Sequence, residues 1–167
     1  MPSRLRQPFF EIRPSPIQGQ GAFATRRIRK GTRIIEYLGE RITPQEGDAR
    51  YDDDQAEHSP VLLFTVDKRT VIDAGVGGND ARFINHACDP NCEAITEKRR
   101  IYIEALRTIA AGEELTYDYQ LERPGRYTAK WATRYACHCG AATCRGTMLA
   151  PPPKRRKSRR GRWAKSE

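Results

Sequence analysis

Three short clusters in this chain carry side chains able to do chemistry. Arg82-Phe83-Ile84-Asn85-His86-Ala87-Cys88-Asp89-Pro90-Asn91-Cys92 gathers an amide, an imidazole and two thiols into eleven residues. Asp89-Pro90-Asn91 stops any helix, because proline lacks an N–H and restricts the residue before it. Arg82–His86 therefore read as a single turn that delivers polar groups into a loop. About thirty residues later, Glu113-Glu114-Leu115-Thr116-Tyr117-Asp118-Tyr119 places two tyrosines at strand spacing. Cys137-His138-Cys139 and Cys144 form a Cys-x-Cys-x4-Cys cluster in a Gly-containing loop, and three such crowded thiolates suit a tetrahedral zinc ion. A closed structural site needs a fourth ligand; spacing leaves it open, and Cys92 and His138 compete for it. A weaker signal is Gly19-x-Gly21, which lets the backbone bend or approach a ligand closely. A dinucleotide loop would need a third glycine, a strand before it and a helix after it, whereas Arg26–Gly31 reads as a turn.

Taken together and in this order, these motifs resemble the SET-domain protein-lysine methyltransferases, over roughly residues 12–149. The resemblance implies S-adenosylmethionine as methyl donor, contacted by Asn85 and His86 and, through the main chain, by Gly19 and Gly21. Arg82 and Phe83 also match, Phe83 as a core residue. Ala87 departs from the family's usual serine and leaves the Asn-His pair intact. It implies Tyr119 as the catalytic tyrosine and Tyr117 as the position where Phe or Tyr controls how many methyls fit, a tyrosine there favouring mono- or dimethylation. Tyr37, in Glu36-Tyr37-Leu38-Gly39-Glu40, matches a tyrosine lining the target-lysine channel, while a strand tyrosine half-buried against the core is the plainer reading. It makes Cys88 the fourth zinc ligand beside Cys137, Cys139 and Cys144, in a post-SET segment that ties the C-terminal region over the site. The implied fold is a β-clip of several small sheets with short helices, in which the Asn-His stretch threads under the Leu115–Tyr119 segment as a pseudoknot. Sequence physics would not predict that threading, since threaded connections are rare.

The elements that must position these groups read as mainly β. Thr32–Glu40 is rich in β-branched and aromatic residues and is expected as one strand. Val61–Val66 and Arg69–Ala74 are expected as two strands about an Asp67-Lys68 turn, Gly75–Gly78 as a flexible approach, and Ile95-Thr96 with Arg100–Leu106 as a further pair. Residues 126–136 read as a short helix or connector, with Trp131 packing on the body of the domain. Asp118, pointing away from the tyrosines, reads as structural. Many short strands with Gly and Pro turns and no long amphipathic helix argue a mainly β domain.

At 167 residues the chain has room for one compact core. It divides into a SET domain over 1–135, a post-SET zinc segment over 136–150 and a basic tail over 151–167 that is expected to be disordered. Residues 151–167 hold eight Lys/Arg and one Glu, so +7 of the net +9 sits there and 1–150 are left at +2. The tail, through 154–165, suits either nuclear import or a DNA phosphate tether. Residues 44–60 are acidic (Glu46, Asp48, Asp52, Asp53, Asp54 and Glu57 against Arg50) and read as a short insert that attracts a basic, histone-like peptide. No apolar run approaches a membrane span, and no signal-peptide pattern opens the chain. An intracellular protein of the nucleus or a nucleoid, or of a host nucleus if a secreted effector, is therefore expected, with reduced thiols. The competing class is a zinc-stapled chromatin- or DNA-binding module without turnover, against which the complete Asn85, His86, Tyr117 and Tyr119 set argues.

Overall fold

The computed structural model describes residues 8–51, 62–122 and 129–151. The chain opens with a hairpin, β1 (Phe10–Pro14) and β2 (Gln20–Ala24), in which Phe10 faces Ala24 and Pro14 faces Gln20. Its turn contains Gly19 at φ +50°, a left-handed conformation that glycine adopts without Cβ strain. The Gly-x-Gly stretch thus straddles the end of the hairpin, with Gly19 in the turn and Gly21 in β2 opposite Arg13. Arg26–Gly31 turns as expected, and Ile28 bridges Ile109 across it.

Where one strand was expected over Thr32–Glu40, the chain makes two. β3 (Arg33–Glu36) pairs with β9 (Arg100–Ala105), and β4 (Glu40–Ile42) pairs with β6 (Thr70–Asp73). The break is at Gly39, where a Cβ would run into the Asp73 carbonyl. There the chain passes from one small sheet to the next, and only a residue without a side chain fits between them. α1 (Pro44–Arg50) follows, opened by a capping box in which Thr43 and Glu46 satisfy each other's backbone N–H groups. The rest of the acidic insert, Asp52–Pro60, lies outside the described residues, as does the basic tail from Pro152 onward.

β5 (Leu63–Asp67) and β6 form the expected hairpin, with a bulge between Thr65 and Asp67 that moves the turn one residue on, to Lys68-Arg69. A 3-10 turn over Asp80–Phe83 leads into β7 (Asn85–His86). The Asn-His pair is therefore strand rather than loop: it lies parallel to β10 (Glu114–Tyr117), Asn85 opposite Thr116 and His86 opposite Tyr117. Proline at 90 still ends the segment, and β8 (Cys92–Glu97) starts beyond it. The sheets run β1-β2-β10-β7, β3-β9-β8 and β4-β6-β5. α2 (Ala129–Arg134) completes the elements, with Trp131 stacked on Tyr135 of its own segment, ring centroids 5.5 Å apart.

The core sits between the sheets, built on Ile28, Ile84, Ile103, Ile109 and Leu115, with Ile101 and Ile72 in a second cluster beside Tyr37. Asp73 is fully buried in the β4-β6-β5 sheet. Burial raises its pKa, but Tyr51 Oη, Arg50 and the Gly75 N–H all donate to it and bring it net below the ordinary value. Asn91 holds β10 from the side: its Nδ2 donates to the Glu114 carbonyl at 2.8 Å and its Oδ1 accepts from the Thr116 N–H at 2.9 Å. One side chain thus does the work of a neighbouring strand.

Candidate active site and metal centre

Strand β10 delivers Tyr117 to the core, and Tyr119 follows just past its end. Two residues apart, the two side chains leave the chain on the same side, and their rings lie 4.8 Å apart. Tyr117 stacks on Phe64 at 6.0 Å, and Phe64 meets Tyr37 at 5.2 Å. Tyr37, Phe64, Tyr117 and Tyr119 therefore form a continuous aromatic wall drawn from three sheets. Tyr37 Oη donates to the Leu62 carbonyl at 3.0 Å and Tyr119 Oη to the Ile84 carbonyl at 2.8 Å. Burial raises the pKa of all three tyrosines, and neighbours raise it further, Asp73 and Tyr51 at Tyr37, Tyr119 and Tyr37 at Tyr117, and Tyr37 and Glu114 at Tyr119, so each phenol stays neutral. Such a wall offers ring faces that attract a cation and hydroxyls that orient an amine.

Next to it is an open concavity of about 270 Å³, with Asn85, His86 and Tyr119 on one side and Ile17, Gln18, His138 and Met148 around it. Asn85 Nδ2 donates to the Gln18 and Gln20 carbonyls at 3.2 and 3.0 Å and to Glu114 Oε1 at 2.9 Å. The amide thereby fixes the chain on either side of Gly19 against β10. Glu114 also accepts from Ser15 Oγ at 2.7 Å, and a Cβ at Gly21 would collide with it. Gly19 serves the turn, and Gly21 makes room for this carboxylate.

His86 is buried, and burial lowers its pKa while Asp118 opposes the shift. The Tyr119 N–H donates to its Nδ1 at 3.1 Å, so the neutral ring carries its proton on Nε2, which points at Cys88 Sγ 3.4 Å away. Asp118 forms a two-pronged pair with Arg145, both bonds 2.8 Å, and joins the tyrosine segment to the cysteine segment. Arg82 stands outside the concavity, its guanidinium over the Phe83 ring at 4.7 Å, and its charge reaches Tyr37.

The sulfurs of Cys88, Cys137, Cys139 and Cys144 all lie within 4.8 Å of one another. A tetrahedral ion with metal–sulfur bonds of about 2.3 Å separates its ligands by roughly 3.8 Å. Cys88 Sγ lies 3.7 Å from Cys137 Sγ and 3.9 Å from Cys144 Sγ. Backbone N–H groups of Arg145 and Gly146 donate to Cys88 and Cys144 at 3.3 Å, as thiolate ligands require. Burial raises the Cys139 pKa, but the Cys88 and Ala141 N–H groups and its sulfur neighbours together bring it down to about 7. These four residues could hold a tetrahedral metal ion. Of the competing ligands, Cys92 is fully buried in the core, where it donates to Asn91 Oδ1 and burial pushes its thiol up to about 12. His138 is exposed beside the concavity, away from the sulfur group.

Phe64, Asn91, Glu114 and Arg145 are the functional neighbours that motif reading missed or left as pattern. Phe64 is hidden in an apolar strand run and Glu114 in a Glu-Glu pair. Only Arg145, directly after Cys144, had a positional signal.

Sheets, Asn-His strand, paired tyrosines and terminal cysteines define one class: residues 19–120 match the SET domain family, and the chain belongs to it. It is 46% identical over 141 residues to the "Histone-lysine N-methyltransferase, H3 lysine-4 specific" of Saccharomyces cerevisiae, covering 80% of this chain and 12% of that protein. It is 45% identical over 141 residues to the protein of that name in Neurospora crassa, covering 80% and 10%. To "Histone-lysine N-methyltransferase trr" of Drosophila melanogaster it is 40% identical over 138 residues, covering 80% and 6%. The chain thus spans about a tenth of the length of these relatives. Among the described residues, no helix is long and apolar enough to cross a membrane.

Proposed function

We propose that this chain is an S-adenosylmethionine-dependent protein-lysine N-methyltransferase acting on a basic, histone-type tail, in the chromatin of a nucleus. The observation that carries the reading is the convergence of the Tyr37, Tyr117 and Tyr119 phenols beside the Asn85–His86 concavity. Bound there, the donor supplies a sulfonium methyl group. The protein's own part is to hold a lysine amine in its neutral form and in line. The aromatic wall excludes water, which disfavours the ammonium form, and positioning of this kind contributes up to about 7–11 kcal/mol to such reactions. Tyr119 uses its proton on the Ile84 carbonyl, which leaves its oxygen lone pairs to the reacting centre. Asn85, His86 and the turn at Gly19 and Gly21 hold the donor, with Arg82 at the edge. The Tyr117 hydroxyl crowds the product amine, so mono- and dimethylation are favoured. The relatives' printed specificity makes histone H3 lysine 4 the first substrate to try.

Zinc is the ion assigned to Cys88, Cys137, Cys139 and Cys144, where it would staple residues 136–150 over the SET domain, residues 1–135. The tail, residues 154–165, would tether the enzyme to DNA. The test is incubation with labelled S-adenosylmethionine and mixed basic proteins, histones included, read by mass spectrometry. Label on lysine is expected, with loss of transfer but retained donor binding in Tyr119→Phe. Failure of the chain to bind the donor, or full activity of Tyr119→Phe, would sink the reading.

A further inference from the structure

Away from the aromatic wall, two hairpin tips meet at one corner of the molecule. One is the β5–β6 turn, Asp67-Lys68-Arg69-Thr70, and the other is the β8–β9 turn, Glu97-Lys98-Arg99-Arg100. Cross-bonds fix them together. Arg99 donates to Thr70 Oγ1 at 2.8 Å and lies 3.3 Å from Asp67, and Arg41 of β4 donates to the Arg99 carbonyl at 2.6 Å. Arg100 is tied to Glu36, whose carboxylate also feels Arg41. Arg41, Lys68, Arg69, Lys98, Arg99 and Arg100 are all exposed. The acids beside them are few: Asp67 takes Arg99, Glu36 takes Arg100, and Glu97 binds Arg33 at 2.8 Å while its charge also reaches Arg100. Among the described residues, the Lys68, Arg69 and Lys98 side chains meet no acidic partner. Since residues 1–150 carry only +2 in all, this corner concentrates positive charge that the composition does not dictate.

The backbone adds a second oddity. Glu97 faces Arg100, so Lys98 and Arg99 form a two-residue loop, with φ +48° and +63°. That loop normally takes Asn-Gly, because both positions need the left-handed region that side chains disfavour. Here two long cations occupy it despite the strain.

We propose that these two tips form a binding surface for the phosphate backbone of double-stranded nucleic acid, separate from the basic tail and from the substrate site. It does not depend on the methyl-transfer reading. A basic peptide is repelled by this corner, so its partner is anionic. Four of the six cations are arginines, whose planar forks match phosphate. Neither tip contains an apolar residue to supply the dehydrated centre of a protein–protein contact. Tyr102, beside this corner, has the Arg33 guanidinium 3.9 Å and the Arg100 guanidinium 5.4 Å from its ring centroid, contacts that compete with stacking of single-stranded bases. Duplex phosphates remain.

The strained turn supplies the test. Lys98→Asn/Arg99→Gly removes two cations and installs the residues the turn prefers, so its melting temperature should match or exceed that of the parent. Binding of the full chain to a fluorescent duplex of about 20 base pairs is followed by anisotropy across a salt series. If each cation neutralises one phosphate, the slope of log K against log salt becomes shallower by about 1.8. The same decrement is expected from Lys98→Asn/Arg99→Gly in a chain whose eight Lys/Arg residues of 154–165 have been replaced by glutamine, because the two surfaces act independently. Lys68→Gln/Arg69→Gln, on the other tip and in an unstrained backbone, should produce a similar decrement and guards against a turn-specific artefact. An unchanged slope in both pairs of substitutions would overturn the proposal. So would loss of binding to polyglutamate with duplex binding intact, which would assign the corner to an acidic protein.

Discussion

Asn91 is the residue whose replacement most directly tests how the tyrosine strand is held. Its amide bridges the Glu114 carbonyl and the Thr116 N–H, and both Asn91 and Thr116 are buried. In Asn91→Ala both strand groups lose their partner with no side chain to replace it. A buried polar group left unpaired costs about 1–3 kcal/mol. Thr116 incurs that in full and half-buried Glu114 less, so the expected loss is about 2–4 kcal/mol in urea unfolding followed by circular dichroism. Asn91→Asp refines the argument. Its carboxylate still accepts from Thr116 N–H but faces the Glu114 carbonyl, to which it can donate only when protonated. Its folded-state pKa is therefore raised above the unfolded value of about 3.9. The protonated form's stability is fully present below that value and is lost as pH rises through the folded pKa. Measured against the parent chain at each pH, the deficit of Asn91→Asp should shrink from pH 7 to pH 5. A loss below about 1 kcal/mol in Asn91→Ala, or a deficit in Asn91→Asp that does not change with pH, would refute this account of β10.

Two further outcomes follow from the site. Tyr117→Phe removes the hydroxyl that crowds the product while keeping the ring on Phe64, so mass spectrometry should find more methyl groups per lysine; an unchanged product distribution would remove Tyr117 from that role. Cys144→Ser takes one sulfur from the four-sulfur group, and elemental analysis should find the roughly one zinc per chain of the parent lost in the variant; full zinc retention would mean another ligand set.

What was legible in the sequence follows the range of the interactions involved. The β5–β6 and β8–β9 hairpins are local, and their β-branched and aromatic runs announce them although Lys68-Arg69 and Lys98-Arg99 are not turn-forming pairs. Thr32–Glu40 misled because propensity sees β-branched residues and cannot see the Asp73 carbonyl against which Gly39 must pack. Asn85-His86 gave no strand signal, since a two-residue parallel strand exists only by virtue of β10, some thirty residues later. The cysteines announced a metal site through local spacing, yet Cys88 came from resemblance, and the structure separates it from Cys92 by burial. The paired tyrosines were readable; Phe64, which joins them to Tyr37, was not, because an apolar residue in a strand looks the same whether it faces a core or a channel.

The cysteine group has a consequence for the order in which the molecule assembles. Cys88 meets Cys137 and Cys144 across 49 and 56 residues of chain. Closing a loop of that length costs about 3–4 kcal/mol in chain entropy. In the segment that is brought back, Leu149 is the side chain fully buried among the described residues, and its burial returns about 1.5–3 kcal/mol of that cost. An ion held by four thiolates can supply about 10 kcal/mol or more. Closure of the C-terminal segment is thus expected to follow metal capture and to come last, after the hairpins and the β10 pairing have formed. With a metal ion held by these cysteines, its supply would set when His138 and Met148 arrive beside Tyr119, and so when the chain would acquire a finished site.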